Sequence, residues 1–241
     1  YSRLVEYASS KLKEFSFLNR EKIYFVNKKR FEDIPGMPIA YWVNKNVFDC
    51  FKMGVPFAQI GNPKVGMQTS NNDKYLKYWF EVRYDEFLSD KKKWIKYVKG
   101  GSFRRWYGNL DWVVHYNGNP AYILKQKNAR VLPESELDLI KCTWTDLATT
   151  RFSCRIAPTD SFHDISGHCF YPSEKDQMYL LAYANSKVFQ VFIDLLNSSL
   201  HYQVGDVARI PVLIDENRRE DIEDLADECV KSSKLDWDSV E

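Results

Sequence analysis

Between Phe57 and Cys169 the chain is divided by turn-forming punctuation at Gly61-Asn62-Pro63, Gly100-Gly101, Gly108-Asn109 and Asn117-Gly118-Asn119-Pro120. Glycine and asparagine admit left-handed backbone, and proline cannot donate to a ladder, so no long helix crosses this stretch. Short strands joined by long irregular connections are what such a sequence can build. Both flanks carry helical patterns instead. Leu4, Tyr7, Ala8, Leu12 and Phe15 fall near helical spacing and predict a helix over Leu4–Phe17. Short strands are predicted at Lys22–Val26 and Ile39–Val43, separated by a turn at Phe31–Gly36. Asn44 suits the cap of a helix running through Val47, Phe48 and Phe51 to Met53-Gly54.

In the last third, Met178, Leu181, Ala182, Val188, Phe189, Phe192 and Leu196 predict one buried-face helix over Gln177–Leu196, including an aromatic-rich approach. Strands are expected around Tyr202–Val204 and Ile210–Ile214, and an acidic helix over Arg219 to about Val230. The fold class is therefore α+β, with a smaller N-terminal helical lead-in. Residues 1–56 form a helical and strand lead-in, 57–214 the main domain, and 215–241 an acidic C-terminal helix. With 241 residues and 44% hydrophobic content, the chain can bury one large core or two small ones.

The formal net charge of +1 hides segregation. Lys91, Lys92, Lys93, Lys96, Lys99, Arg104 and Arg105 crowd into a stretch without an acid, whereas the end of the chain is rich in Asp and Glu. A basic face of this kind suits phosphates. Lys96 to Asn109 interleaves cations with the rings of Phe103, Trp106 and Tyr107 around the pair Gly100-Gly101. Lysine and arginine can contact phosphates, arginine can also grip guanine O6 and N7, and glycine lets backbone approach a ligand. A solvated charged surface is the simpler use of such a run. A second polar loop, Lys64 to Asp73, holds Gln68, Thr69, Ser70, Asn71 and Asn72 before a predicted aromatic helix of Tyr75, Tyr78 and Trp79. Amides read adenine and hydroxyls take phosphates, but the same residues suit an ordinary helix-capping loop with Asn71 or Asn72 as cap.

Catalytic patterns are lacking. Base-amine methylation needs a glycine-rich cofactor loop and a [DNS]PP[YFW] turn, and the two Asn-Pro dipeptides, Asn62-Pro63 and Asn119-Pro120, are not followed by a second proline. Walker, Gly-x-Ser-x-Gly and nuclease-type acid patterns are likewise absent. The five cysteines include no CxxC pair, and Cys154, His163, His168 and Cys169 follow no established zinc spacing, so no metal is expected. A reduced, cytoplasmic setting is expected, with no membrane association, because no apolar run approaches roughly 20 residues. The opening at Tyr1, inside a helix-like pattern, reads as that of an excised piece.

Several segments together resemble the recognition region of PglX-type BREX methyltransferases and type IIG restriction–modification enzymes. Gly66-Met67-Gln68-Thr69-Ser70-Asn71-Asn72 resembles their "GxxTxxN" loop, and Lys96 to Asn109 their "YxKGGxxRxWYGN" motif. Thr143-Trp144-Thr145-Asp146-Leu147 resembles a "TWS" strand, and Phe152 to Pro172 a "F..R...F...G.S.FP" stretch. Leu180 to Val188 resembles "LLxxLNSKV", and Tyr202 to Pro211 "FQVGDIxxIP". The resemblance spans about Ala58 to Val212.

It implies a DNA target-recognition domain of an S-adenosylmethionine-dependent adenine N6-methyltransferase in phage defence, with a TaqI-type or type I specificity-subunit fold, a twisted, mostly antiparallel β assembly with packed helices. The piece itself would be non-catalytic and hold no cofactor. Its partners would be double-stranded DNA and the upstream methyltransferase domain of the same polypeptide. Lys64, the Gln68–Asn72 loop, the lysines from Lys91 to Lys99, Gly100, Gly101, Arg104, Arg105 and Trp106 would form the DNA surface. In that reading lysines hold phosphates while Arg104, Arg105 and the amides approach base edges. The alternative is a protein-interaction module of a defence complex whose basic loop meets an acidic partner.

Overall fold

The structure is a computed structural model and describes residues 1–87, 93–118, 120–197 and 199–239. The chain divides into two compact units, Tyr1–Val55 with Pro211–Leu213, and Pro56–Ile210 with Ile214–Glu241.

The smaller unit contains two short helices and a set of packed rings. Helix α1 (Ser10–Leu18) starts later than the periodicity predicts, because the Ser9 side chain accepts the Leu12 amide and fixes the first turn there. Residues Leu4–Tyr7 form a turn instead, closed by the Tyr7 amide on the Leu4 carbonyl. Helix α2 (Lys45–Met53) begins at its predicted cap, Asn44 Oδ1 accepting the Val47 amide at 3.2 Å, and stops before Gly54. Neither predicted strand forms. Lys22 has a φ of 49°, which breaks extended backbone, and that segment makes a single bridge, Ser2 with Ile23. Ile39–Val43 folds into consecutive turns. Tyr1 stacks on Tyr41 at 4.8 Å, and the Arg30 guanidinium lies 4.5 Å from the centre of the Phe48 ring.

In the chain order that follows, β1 (Val55–Pro56) leads to α3 (Phe57–Gly61), and two four-stranded sheets make the frame of the larger unit. One contains β2 (Pro63–Lys64), β6 (Lys141–Trp144), β7 (Cys154–Ala157) and β9 (Cys169–Phe170), in the order β2-β9-β6-β7 and antiparallel throughout. The other contains β3 (Leu76–Tyr78), β4 (Trp94–Val98), β5 (Trp112–His115) and β8 (Ser161–His163), in the order β3-β5-β4-β8. Its pairs are antiparallel except β4 with β8, which run parallel. The protein is thus α+β with sheets rich in antiparallel pairs.

Alternation along β4 sends Ile95 and Tyr97 inward beside Met67, Tyr75, Leu76, Val114, Phe162 and their neighbours. Strand β6 is different, since all four of its residues are buried and both faces are covered. Trp144 and Phe152 lie among Phe170, Phe189 and Tyr202, with Trp144 Nε1 donating to the Tyr202 carbonyl at 2.8 Å.

The helix predicted over Gln177–Leu196 is two helices. Helix α6 (Gln177–Ala184) stops at Asn185 and α7 (Lys187–Leu196) restarts after Ser186. Asn185 breaks the run because its amide clamps β7, accepting the Cys154 amide at 3.0 Å and donating to the Cys154 carbonyl at 2.9 Å. Ser186 then caps α7 by accepting the Phe189 amide.

The segment predicted as strand from Tyr202 turns into α8 (Val204–Ala208), and only β10 (Pro211–Val212) is extended after it. The acidic helix is longer than predicted, since α9 (Arg219–Asp238) continues past Val230 while packed against α6. The predicted aromatic helix is a single turn, α4 (Asn72–Tyr75), after which the chain pairs as β3; α5 (Tyr84–Phe87) is equally short. Among the described residues no helix is long and apolar enough to cross a membrane.

Candidate nucleic-acid interface

The two candidate loops meet at one turn. The loop Gly66–Asn72 lies between β2 and β3 and so links the two sheets, whereas the basic loop joins β4 to β5 within one of them. Both dock on the turn after β8. The Met67 amide donates to the His163 carbonyl, the Ile165 amide to the Met67 carbonyl, and the Gly100 amide to Ser166 Oγ. Asp164 organises this turn from the inside. Its carboxylate accepts from the Ser166 amide at 2.8 Å, from Ser166 Oγ, and from the Tyr97 hydroxyl at 2.7 Å.

Close packing explains two glycines here. A Cβ on Gly66 would stand 2.3 Å from the Asp164 carbonyl oxygen, and one on Gly100 2.4 Å from that of Ser166. At both positions the space a Cβ would take is filled by the chain's own backbone.

In the first loop the amides and hydroxyls are largely occupied internally. Asn71 Oδ1 accepts the Lys74 amide and caps α4, while Thr69 Oγ1 donates to Asn72 Oδ1 at 2.6 Å. Thr69 is buried, Gln68 half-buried and Ser70 exposed. The backbone of Gln68 exchanges both of its hydrogen bonds with Arg130, which brings that exposed cation to the same loop. Lys64 ion-pairs with Glu136 at 2.9 Å and lies over the ring of Tyr171.

The basic loop is a cation series with internal acid partners. Lys93 pairs with Glu86 at 2.6 Å, and Lys96 with Asp160 at 2.8 Å. The ammonium of Lys99 lies 5.4 Å from the centre of the Trp112 ring. Lys91 and Lys92 lie outside the described residues. Gly100 is buried; Gly101 beside it is exposed, and its carbonyl accepts from Thr145 Oγ1. The Asn109 amide ties the loop's two ends by donating to the carbonyls of Gly100 and Ser102, each at 2.9 Å. Trp106 is half-buried, and its backbone pairs with β7, its amide donating to Cys154 and its carbonyl accepting from Ile156. The loop therefore adds one more short strand segment to the edge of a sheet.

Arg104 is used structurally. Its Nη1 donates to Asp236 Oδ2 at 3.1 Å, and its guanidinium lies 4.9 Å from the centre of the Trp237 ring, both on the last turns of α9. Lys234 similarly faces the ring of Tyr107. The acidic helix thus docks on the basic loop. Arg104→Ala is expected to lower stability by about 1 kcal/mol, because Arg104 is 30% and Asp236 68% exposed and solvent screens the ion pair. Thermal melting of the single and double variants with Trp237→Ala checks this. Additive losses would show that the two side chains are not coupled.

The loop is held from below by a residue that sequence reasoning treated only as part of a motif. Arg155 is fully buried on β7, where Nη2 donates to the carbonyls of Lys99 and Gly100. No acid among the described residues pairs with it, and burial pulls its guanidinium down to about 10. On the adjacent strand Lys141 is buried too. Its ammonium donates to the carbonyls of Glu136, Leu137, Thr159 and Ser161, and burial lowers it to about 8.

Cys154, His163, His168 and Cys169 are all buried, yet among the described residues no group of three or more His, Cys, Asp or Glu side chains is placed to hold a metal ion. Burial pushes the Cys169 thiol up to about 12 and His163 down to about 3.

Two comparisons bear on what this frame serves. The chain aligns along its whole length with the adenine-specific methyltransferase PglX of Lacticaseibacillus casei (strain Zhang), at 29% identity over 264 residues. Over 88% of the chain it is 30% identical to the adenine-specific methyltransferase BrxX of Escherichia coli O9:H4 (strain HS). The chain is similar to two adenine-specific methyltransferases. It spans about a fifth of their length, 22% of PglX and 18% of BrxX. No protein-family model matches it. The alignment with PglX takes in both loops, the Asp164 turn and the two buried cations, because it covers all of the chain.

Proposed function

We propose that this chain is the DNA target-recognition part of a larger adenine-specific methyltransferase similar to PglX and BrxX, with a TaqI-type or type I specificity-subunit fold. The observation that carries the reading is the convergence of two polar loops, one linking the sheets and one within a sheet, on the Asp164 turn, within a chain that matches these enzymes over about a fifth of their length. In the whole protein, S-adenosylmethionine and the methyl transfer belong to the rest of the polypeptide, and this part supplies the address. Marking of self DNA against phage is the role that follows.

The distribution of partners refines which side chains meet DNA. Lys64, Lys93, Lys96 and Arg104 have acids of their own, so they reach a phosphate only by sharing or leaving them. Lys99, Arg105 and Arg130 have no acid partner among the described residues and are the better contacts from these loops. Gln68 and Ser70 remain the candidates for polar base or phosphate contacts from the first loop, and Lys91 and Lys92 stay with the lysine series by their sequence. Lys99 and Arg105 each lie near an aromatic ring, which restricts the cation without neutralising it.

The smaller unit exposes Phe15, Phe17, Leu18 and Phe25, an apolar surface suited to packing against the upstream methyltransferase domain. Titration of a labelled duplex with the 241-residue chain tests the reading, with a Kd in about the micromolar range or weaker expected at physiological salt.

A further inference from the structure

A cleft of about 400 Å³ opens beside the basic loop, lined by Arg105, Thr150, Arg151, Ser186, Lys187 and Asp194, together with the side chain of Gln190. Three segments distant in sequence supply its cations: the β4–β5 loop, the β6–β7 loop and the start of α7. They are held together rigidly. The Cys154 carbonyl accepts from both the Trp106 amide and the Asn185 amide, and Gln190 Oε1 accepts the Phe152 amide.

The charge in this cleft is uncompensated. Arg105, Arg151 and Lys187 have no ion pair among the described residues, against one carboxylate, Asp194, whose Oδ1 already accepts from Gln190 Nε2 at 2.7 Å. The Arg105 Nε–H is buried and has no hydrogen-bond partner among the described residues, while the residue as a whole lines the cleft. Arg151 and Lys187 are exposed at the rim, and among the described residues their side chains make no hydrogen bond. The first-turn amides of α7 point the same way in charge. Ser186 Oγ takes the Phe189 amide, whereas the amides of Lys187 and Val188 have no acceptor within the helix. Three cations and a helix start together favour an anion that accepts several hydrogen bonds at once.

We propose that this cleft binds a backbone phosphate of DNA, with Arg105, Arg151 and Lys187 as its ligands. The inference rests on the recognition reading above and extends the contact surface from the basic loop to the β6–β7 loop and the start of α7, placed by the break between α6 and α7. Lys187 and Arg151 act as phosphate contacts without sequence preference, because a rim ammonium and a guanidinium gripping phosphate oxygens carry no base information.

The test uses the full chain, a labelled duplex and a salt series, with Arg151→Gln/Lys187→Gln as the variant. Both side chains are exposed, so its melting temperature should match that of the parent. Loss of this phosphate contact should flatten the slope of log K against log salt by up to roughly 0.9 and weaken binding on the order of tenfold at low salt, equally for unrelated duplexes. The charge-preserving variant Arg151→Lys/Lys187→Arg should restore the slope.

A parent chain that binds duplex, with a double variant of unchanged slope and affinity, would overturn the cleft assignment and leave the recognition reading standing. A parent that fails to bind duplex overturns both. Inorganic phosphate provides the remaining arm. If it raises the melting temperature of the parent more than chloride of equal ionic strength, and the double variant loses that rise while binding duplex normally, the cleft serves a free phosphate and the assignment to DNA is wrong.

Discussion

Replacing Arg155 with Ala should lower the stability of the chain by about 2–3 kcal/mol and release the basic loop from its sheet. Three effects set the size. Emptying a fully buried long side chain costs about 2–5 kcal/mol. Leaving the Lys99 carbonyl without its donor costs about 1–3 kcal/mol more, while Gly100 keeps the Asn109 amide. Against these stands the relief of burying a cation with no acid beside it. A guanidinium drawn from 12.5 to about 10 reports roughly 3 kcal/mol of such cost. The destabilising effects win, and the damage is local before it is global. Hydrogen exchange at the Trp106 and Ile156 amides, which pair the loop with β7, should accelerate beyond what the change in denaturation midpoint explains. Arg155→Lys should not rescue the loop, since one ammonium lacks the planar fork that spans successive carbonyls. Unchanged exchange at those two amides would show that the loop is held by other means.

Lys141→Met should destabilise the chain by about 3–5 kcal/mol at neutral pH, with a pH signature that a merely space-filling lysine would not give. Four carbonyls lose their common donor, at about 1–3 kcal/mol for each one left unsatisfied. The relief of a buried ammonium, lowered from 10.5 to about 8, returns roughly 3 kcal/mol. Its sign with pH follows from proton counting. Between pH 8 and 10.5 the unfolded chain keeps the proton on Lys141 while the folded chain has released it. The unfolded state therefore binds more protons, and this group's contribution to stability rises with pH across that window. The buried acids Cys169, Tyr97 and Tyr171 act oppositely. Burial raises them, so the folded chain retains protons that the unfolded chain loses, and their contribution falls above the ordinary range of each. The gap between the parent and Lys141→Met isolates the lysine. It should widen as pH rises from 8 to 10.5 in chemical denaturation, and a gap independent of pH would contradict the shifted ammonium.

How far the sequence discloses this arrangement depends on the range of the interaction. Local signals are legible. Asn44 caps α2, Asn71 caps α4, and alternation places Ile95 and Tyr97 inside. The break at Asn185 is not visible to periodicity, since apolar residues continue across it. The reason lies in β7, 31 positions away, whose backbone the Asn185 amide completes. The basic run is legible as charge but not as ion pairs. Glu86 is 7 residues from Lys93, Asp160 is 64 from Lys96, and Asp236 is 132 from Arg104, so only the fold brings the last two acids in. Lys141 and Arg155 look like ordinary polar residues of half-exposed strands. They are buried because β6 is covered on both faces and because the basic loop extends the sheet beyond β7. Arg151 and Lys187 were hidden by distance in the same way, one in a loop and one at a helix start.

The most direct test of the central claim is binding of unrelated DNA duplexes by the 241-residue chain across a salt series. An electrostatic recognition surface should give log K falling linearly with log salt, at roughly 0.9 per phosphate neutralised. With Lys99 and Arg130 each neutralising a phosphate and Arg105, Arg151 and Lys187 sharing one in the cleft, the expected slope is about −2 to −3. Binding at micromolar or weaker levels with that slope supports a DNA-reading role. Duplex affinity that is flat with salt, or absent at low salt while an acidic protein partner binds the same surface, would contradict it.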